Sequence, residues 1–531
     1  MNSLSEIAVS RRSALKAGSL AALGLAGACS VGVATQVTVA EAAADETSFV
    51  PSFLVAPEAI NEVSETKDYD VVVVGAGSAG MAAANRAAEE GARVAVVQKL
   101  AMASSQGFNA AGVSPAATDV QKAAFVSTLM SLCDLRPSRE LLEAYANTSG
   151  EAIMWYRDLI TRAGVELPAE EESTYVRDCN GYEVEFMTAR PSGTHASAVI
   201  AIAEYAQANG VDFYYEMPGV QLVTEGGAVT GVIAGVEGSY VRFNAKKGVI
   251  LATGDYQSND EMIAFYCPDV LGFPPLAAQR DGDGHRMGVW AGGRIEPIGH
   301  TKMIHDLWMN AAPYLMVGPD GNRFCDEHIP WFKINTLMRP LMQGAYRDNP
   351  DFARIFSVVD SNYLAQAEAW AEFDSDISAK EVPGLDEMSL GTAELHITVT
   401  ADTIEGLAEQ MGVEVEALTA TVERYNELVE KGADEDFGKD ARFLAPIATP
   451  PFYAVQRDFN WGLSATLGGL VVDTNNQVLN ADDEPIPGLY AAGNTSGPFF
   501  GGIDYPMTFG GLSIGRAVTT GYIAGSAAAR A

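Results

Sequence analysis

The chain has 531 residues, 48% hydrophobic and 9% aromatic, a composition that supports a sizeable core and two domains or more. Asp and Glu (69) outnumber Lys and Arg (34), and the formal charge of -35 repels polyanions, which argues against nucleic acid as a partner. Five cysteines, at positions 29, 133, 179, 267 and 325, form no C-x-x-C, and six histidines form no H-x-x-x-H, so neither covalent haem nor a resident metal is expected.

The N-terminal stretch reads as an address. SRRSALK (Ser10–Lys16) is a twin-arginine pattern, and an Ala/Gly-rich apolar run follows from Ala17 with no charge before Glu41. AEA (Ala40–Ala42) offers a small-x-small cleavage site. Residues 1–42 are therefore assigned to a twin-arginine signal peptide. That route exports proteins already folded around a cofactor, so the expected location is the periplasm or the outer face of the cytoplasmic membrane. LAGAC, ending at Cys29, leaves a lipid anchor open as an alternative. Residues 43–67, with Pro51, Pro57 and several acids, read as an acidic tether.

The folded part opens at DYDVVVVGAGSAG. Val71–Val74 is an apolar β-branched run, the mark of a buried parallel strand. Gly75-x-Gly77-x-x-Gly80 then leads into an Ala-rich helix. This spacing allows a tight turn, close approach of a pyrophosphate and close helix–strand packing. The first helical amides, including those of Ser78 and Ala79, point at the phosphates. ARVAVVQK is the second strand, and Gln98 stands where an acid usually holds the adenosine ribose, with Lys99 beside it. KKGVILATGDYQSN (Lys246–Asn259) is a third strand, ending at Ala252, Thr253 and Gly254. At the far end, GLYAAGN (Gly488–Asn494) is a short strand closing on Gly493 and Asn494, and a helix follows that opens on Gly511, Leu512, Ser513 and Ile514. A nicotinamide enzyme needs no such distant second segment. FAD does, because its length spans the domain and its ring rests on a remote helix N-terminus.

These segments, with RDGDGHRMGVWAGG (Arg280–Gly293), DGNRFCDE (Asp320–Glu327) and LGGLVVD (Leu467–Asp473), resemble the fumarate reductase/succinate dehydrogenase flavoprotein family in its soluble branch. That branch includes flavocytochrome c fumarate reductases, urocanate reductase and ketosteroid dehydrogenases. The resemblance implies an α/β fold, a doubly wound (Rossmann-like) FAD-binding domain with an inserted α+β capping domain. The FAD domain would comprise residues 68–296 and 450–531, and the cap 297–449. It implies non-covalent FAD, with Ser105, Ala111 and Gly112 beside the flavin and Val220 and Asp283 completing the cofactor set.

The resemblance also implies hydride transfer between flavin and a carbon next to an electron-withdrawing group. Fumarate reductases add cations that grip a dicarboxylate. Here His300 matches the first of those positions, but Trp331 and Phe332 stand near the acidic arginine, Ser464–Thr466 near the second histidine, and Thr508 near the last arginine. The substrate wall is therefore expected to be apolar, from Tyr314, Trp331, Phe332, Phe500 and Thr508, and suited to a neutral, flat molecule. Tyr505, followed by Pro506 ahead of the Gly-rich turn as in ketosteroid dehydrogenases, is expected to donate a proton or hold an oxyanion, with His300, His305 and Asp306 as backups. The expected function is an exported FAD-dependent reductase of an activated C=C bond, enone or acrylate-type, not fumarate. A ketosteroid-type dehydrogenase running oxidatively, and a non-catalytic flavin electron carrier, are the alternatives. Expected partners are a small unsaturated organic substrate and an external electron donor such as a membrane-bound cytochrome or quinol-linked protein.

Overall fold

A computed structural model describes residues 50–169, 172–297, 299–304, 312–348, 355–374, 377, 398–457, 462–502 and 504–531. Residues 1–42, the expected signal peptide, and His305 and Asp306 lie outside them. Strand β1 (Glu65–Val74) begins within the expected tether, and the Ile60 N–H already bonds the Gln221 side chain. Helix α1 (Ser78–Glu89) returns the chain to β2 (Val94–Val97), which pairs parallel to β1 with Val71 opposite Val94. Alternate valines of β1 enter two different cores. Val71 and Val73 pack with the alanines of α1, while Val72 and Val74 pack with Phe243 and Leu489 on the other face. Both faces are covered, which is why the run is apolar without alternation. Each such valine contributes on the order of 1.5–3 kcal/mol by burial.

The chain then leaves the main sheet. Strand β3 (Ala110–Val113) forms a separate antiparallel sheet with β5 (Tyr182–Ala189) and β4 (Thr174–Cys179), and helix α2 (Arg139–Arg162) packs on it. Helix α3 (His195–Ala208) leads back to β6 (Asp212–Tyr214) beside β2. A hairpin of β7 (Gly219–Glu225) and β8 (Ala228–Ala234) feeds β9 (Val241–Leu251), which runs parallel to β1 with Leu251 opposite Val74. Helix α4 (Asp283–Trp290) follows.

The inserted part starts near β10 (Lys302–Met303) and builds its own antiparallel sheet. Strand β11 (Leu315–Val317), helix α5 (Trp331–Asp348), β12 (Ile355–Val359), β13 (Thr398–Ala401), helices α6 (Ile404–Met411) and α7 (Val415–Lys431), and β14 (Phe452–Arg457) follow in order. The sheet order is β11-β12-β14-β13, so this layer extends past the expected boundary at Thr449. Leu407, Met411, Leu418, Val422 and Tyr425 from the helix pair fill its core. Within this part Arg323, the arginine of the N-R-F segment, pairs with Glu327 and Asp434, and all three side chains are little exposed.

The chain returns through β15 (Ala465–Thr466), which pairs with β10, then β16 (Gln477–Leu479) and β17 (Pro485–Ala491). The main sheet reads β16-β17-β9-β1-β2-β6. The last helix, α8 (Leu512–Arg530), lies against α1 so closely that side chains at Gly521 and Gly525 would overlap the Ala79 and Ala83 carbonyls. That contact brings the N-terminus of α8 beside β3.

Candidate active site

The first cleft lies where β1, β2 and β9 end. Val74–Gly77, Val97–Leu100, Ser104, Ala252, Thr253 and Asp283 line it together, so Gly75, Gly77, Gln98, Lys99, Ala252, Thr253 and Asp283 meet as expected. Gly75 has φ +107°, and a Cβ there would overlap the Ala252 carbonyl. Only glycine permits this approach. Gly80 likewise packs on the Gly75 carbonyl, and Gly77 opens α1 towards the cleft. The Gln98 amide donates to the Met102 carbonyl at 3.0 Å. Lys99 is held by Asp281 (2.7 Å) and Asp283 (2.8 Å), so the acidic side of this cleft comes from the residues before and at the start of α4 rather than from β2. Behind the cleft the Ser78 hydroxyl lies 2.6 Å from that of Ser105 and 3.0 Å from His195 Nε2. Thr253 Oγ1 accepts from the Gly284 N–H, tying Gly254's strand end to α4. Val220 lies on β7 next to Gly219, which lines the cleft. A glycine turn, a helix N-terminus and a lysine–carboxylate set fit the adenosine and pyrophosphate of FAD.

The second half forms at the N-terminus of α8. The Ala111 N–H donates to the Gly511 carbonyl at 3.0 Å, and Gly511 has φ +85°. Ala111 on β3 thus sits against Gly511 and Gly515, Gly112 packs on Ser149 of α2, and Ile514 packs over Gly107. The Gly493 N–H is held by Thr520 Oγ1 at 2.9 Å, which places Gly493 and Asn494 against the same helix. Tyr505 is buried at 3% exposure, and its Oη accepts the Ser513 N–H at 2.9 Å. Its ring meets Phe500 edge-on at 5.0 Å. Burial pushes the Tyr505 phenol far above its ordinary value, so it stays protonated. Gln106 donates to the Ser464 carbonyl at 2.7 Å, and its Oε1 is buried without a partner on the loop leading to β3.

His300 takes a different role from the proton donor its position suggested. Its Nδ1 lies 2.6 Å from Tyr256 Oη, its Nε2 lies 3.0 Å from the Glu296 carbonyl, and Tyr266 stacks on it at 4.1 Å. Both ring nitrogens are committed inside the protein. Burial lowers His300 to about 3, and His195 and His285 to about 4. The unfolded chain protonates such histidines near pH 6.5, so below that pH it binds more protons than the fold. Stability should fall as pH drops from about 6.5 to about 4.5, by roughly 1.4 kcal/mol per unit for each histidine. Burial raises Glu296 to about 7, so the folded carboxyl holds a proton in that window and opposes one of the three. Burial raises Asp255 as well, so the net slope is shallower than the three histidines alone would give. Urea midpoints at pH 6.5 and pH 5 measure it, and His300→Asn should flatten it further.

The expected substrate wall divides. Phe500 is fully buried beside Tyr505, and Thr508 is half-buried, its carbonyl accepting from Arg177 at 3.1 Å. Tyr314 belongs instead to the core of the inserted part, donating to the Tyr363 carbonyl at 2.7 Å and packing on Trp370. Trp331 opens α5, and Phe332 is buried on the same helix. Lys333 is nearly half exposed and 3.7 Å from Asp134, away from any buried role. Arg516, on the first turns of α8, is buried over Phe499 and Phe500 and bonded to Ser496.

The sequence reading missed Arg339. This guanidinium is buried on α5 and gripped by Asp504 at 2.6 and 2.9 Å, one residue before Tyr505. Asp269 lies 3.1 Å from its Nε, although that N–H is not aimed at the carboxylate. Its place two helical turns after Trp331 was a usable signal, masked by Pro340, which reads as a helix end. A guanidinium therefore stands at the inserted part's inner face, already neutralised by the protein's own carboxylates.

Residues 70–505 match the FAD binding domain family. The chain is 28% identical over 501 residues to NADH:fumarate oxidoreductase of Klebsiella pneumoniae, covering 90% of this chain and 49% of that protein. It thus spans about half the length of that relative. It is 27% identical over 509 residues to vinyl phenol reductase of Lactiplantibacillus plantarum, covering 87% and 96% of the two chains. The solved structure of 3-ketosteroid-Δ4-(5α)-dehydrogenase from Rhodococcus jostii RHA1 with 4-androstene-3,17-dione shares the fold, with a TM-score of 0.63 at 24% identity over 88% of this chain and 98% of that one.

Proposed function

Because the chain belongs to the FAD binding domain family of oxidoreductases, we propose that it is an exported reductase of an activated, uncharged C=C bond, such as a steroid enone or a plant phenolic. FAD, held without a covalent link by the Gly75–Gly77 turn and the N-terminus of α8, would supply hydride chemistry when bound. The chain's own residues do the rest. Tyr505 Oη, protonated at physiological pH, donates to the oxygen or carbon that gains negative charge. Accepting the Ser513 N–H polarises the phenol towards that donation. Phe500 and its aromatic neighbours exclude water and favour a flat apolar ring.

The single observation carrying this reading is the 2.9 Å contact that fixes Tyr505 Oη at the mouth of α8. Charge supports the choice of a neutral substrate, because Arg339 is already bound by Asp504. A dicarboxylate buried without free guanidinium partners is penalised by several kcal/mol. Electrons come from outside the chain, through a membrane-bound cytochrome or quinol-linked protein, and the twin-arginine pattern supports a site beyond the cytoplasmic membrane.

The test is direct. The purified yellow protein is bleached with dithionite under nitrogen and given 4-androstene-3,17-dione, 4-vinylphenol or a cinnamate ester. Return of the oxidised flavin spectrum with at least one neutral compound is expected. Failure of every one of them, while a cytochrome still exchanges electrons with the flavin, would establish an electron carrier instead.

A further inference from the structure

A buried charge cluster joins the inserted part to Tyr505. From α5, Arg339 holds Asp504 with two parallel bonds of 2.6 and 2.9 Å, and Thr336 Oγ1 donates to the same carboxylate at 2.6 Å. From the other side, Lys302 on β10 bonds Asp269 at 2.8 Å, and Asp269 reaches Arg339 Nε at 3.1 Å. Arg339, Asp504 and Lys302 have side chains only 2–3% exposed. Two cations thus face two carboxylates, and the set is neutral.

The position of this cluster is informative because the residue after Asp504 is Tyr505, whose N–H donates to the Lys302 carbonyl at 3.0 Å. Neighbouring side chains on an extended segment leave on opposite sides. Asp504 meets α5, while Tyr505 enters the aromatic cluster and reaches the Ser513 N–H. A continuous path therefore runs from α5 through Asp504 and Tyr505 to the N-terminus of α8. A bidentate arginine fork fixes orientation as well as distance, which a single lysine contact does not.

We propose that Arg339 is a positioning residue: through Asp504 it sets the placement of Tyr505, so that Tyr505 is held in place only while α5 is seated. This rests on the role given to Tyr505 above. The inserted part then does more than cover the site. Its seating and the alignment of the donor are one event.

Two measurements on the FAD-loaded protein test this. The first is amide hydrogen exchange. In Arg339→Gln and in Asp504→Asn, exchange across residues 504–513 should speed by about tenfold or more while β1 and β9 keep their protection. Arg339→Lys, which keeps charge without the fork, should fall between. Unchanged exchange at 504–513, or equal acceleration in β1, would overturn the proposal, since the latter marks general destabilisation. The second is a double-mutant cycle on flavin reoxidation by 4-androstene-3,17-dione. Arg339→Gln should slow the parent by about tenfold yet add little in the Tyr505→Phe background. Losses that multiply would place Arg339 outside the Tyr505 path. If Tyr505→Phe alone matches the parent, the role given to Tyr505 falls, and the exchange result judges the Arg339–Asp504 contact by itself.

Discussion

Tyr505→Phe should leave the protein yellow and slow its reoxidation by a neutral enone by about 100-fold or more, the usual worth of a positioned proton donor. The variant keeps the ring and therefore its edge contact with Phe500. It removes only the oxygen that accepts the Ser513 N–H. Leaving that amide without this acceptor lowers stability by roughly 1–3 kcal/mol, too little to release the cofactor. The pH profile adds a second signature. Burial holds the phenol well above its ordinary value, so the parent's rate should show no alkaline fall from loss of this proton between pH 7 and pH 9. Stopped-flow absorbance of the flavin, parent beside variant across that range, measures both effects.

Gly75→Val should give a colourless and unstable protein. Gly75 has φ +107°, and a Cβ there would strike the Ala252 carbonyl at the end of β9. That strand end forms the cleft floor, so relief of the clash moves the cofactor site itself. Strain and overpacking each contribute on the order of 1–3 kcal/mol. Gly91 is the control. It also has positive φ, +89°, but a Cβ there meets nothing within 4 Å. Gly91→Ala should therefore cost about 1 kcal/mol and keep its FAD. Flavin absorbance per protein and thermal midpoints separate the two variants.

These cases show what a sequence displays and what it hides. Gly75, Gly77 and Gly80 lie within six positions, and their requirement is local, so spacing alone identifies the cradle. The strand at Val71–Val74 is legible for a similar reason: burial on both faces writes itself as an unbroken apolar run. The pairing of Gly511 with Ala111 was accessible only through the resemblance, because 400 residues separate them and nothing in either segment names the other. Side-chain roles were harder still. The resemblance implies a catalytic histidine at His300, yet its neighbours Tyr256 and Glu296 engage both nitrogens. Tyr314 looks like any aromatic wall residue until Tyr363 and Trp370 are seen around it. Arg339 and Asp504 are 165 residues apart, and only the fold pairs them. The reading that the site has lost its guanidinium groups is thereby refined. Two are present: Arg339, which the protein's own carboxylates occupy, and Arg516, buried over Phe499 and Phe500.

The account depends on a site that takes a neutral acceptor and refuses a dianion. The most direct measurement is second-order reoxidation of the fully reduced protein by 4-androstene-3,17-dione, 4-vinylphenol and fumarate, each under the same anaerobic conditions. At least one neutral compound should exceed fumarate by about 1,000-fold, the consequence of burying two carboxylates where Arg339 is already held by Asp504. Fumarate reacting as fast as the best neutral acceptor would contradict it.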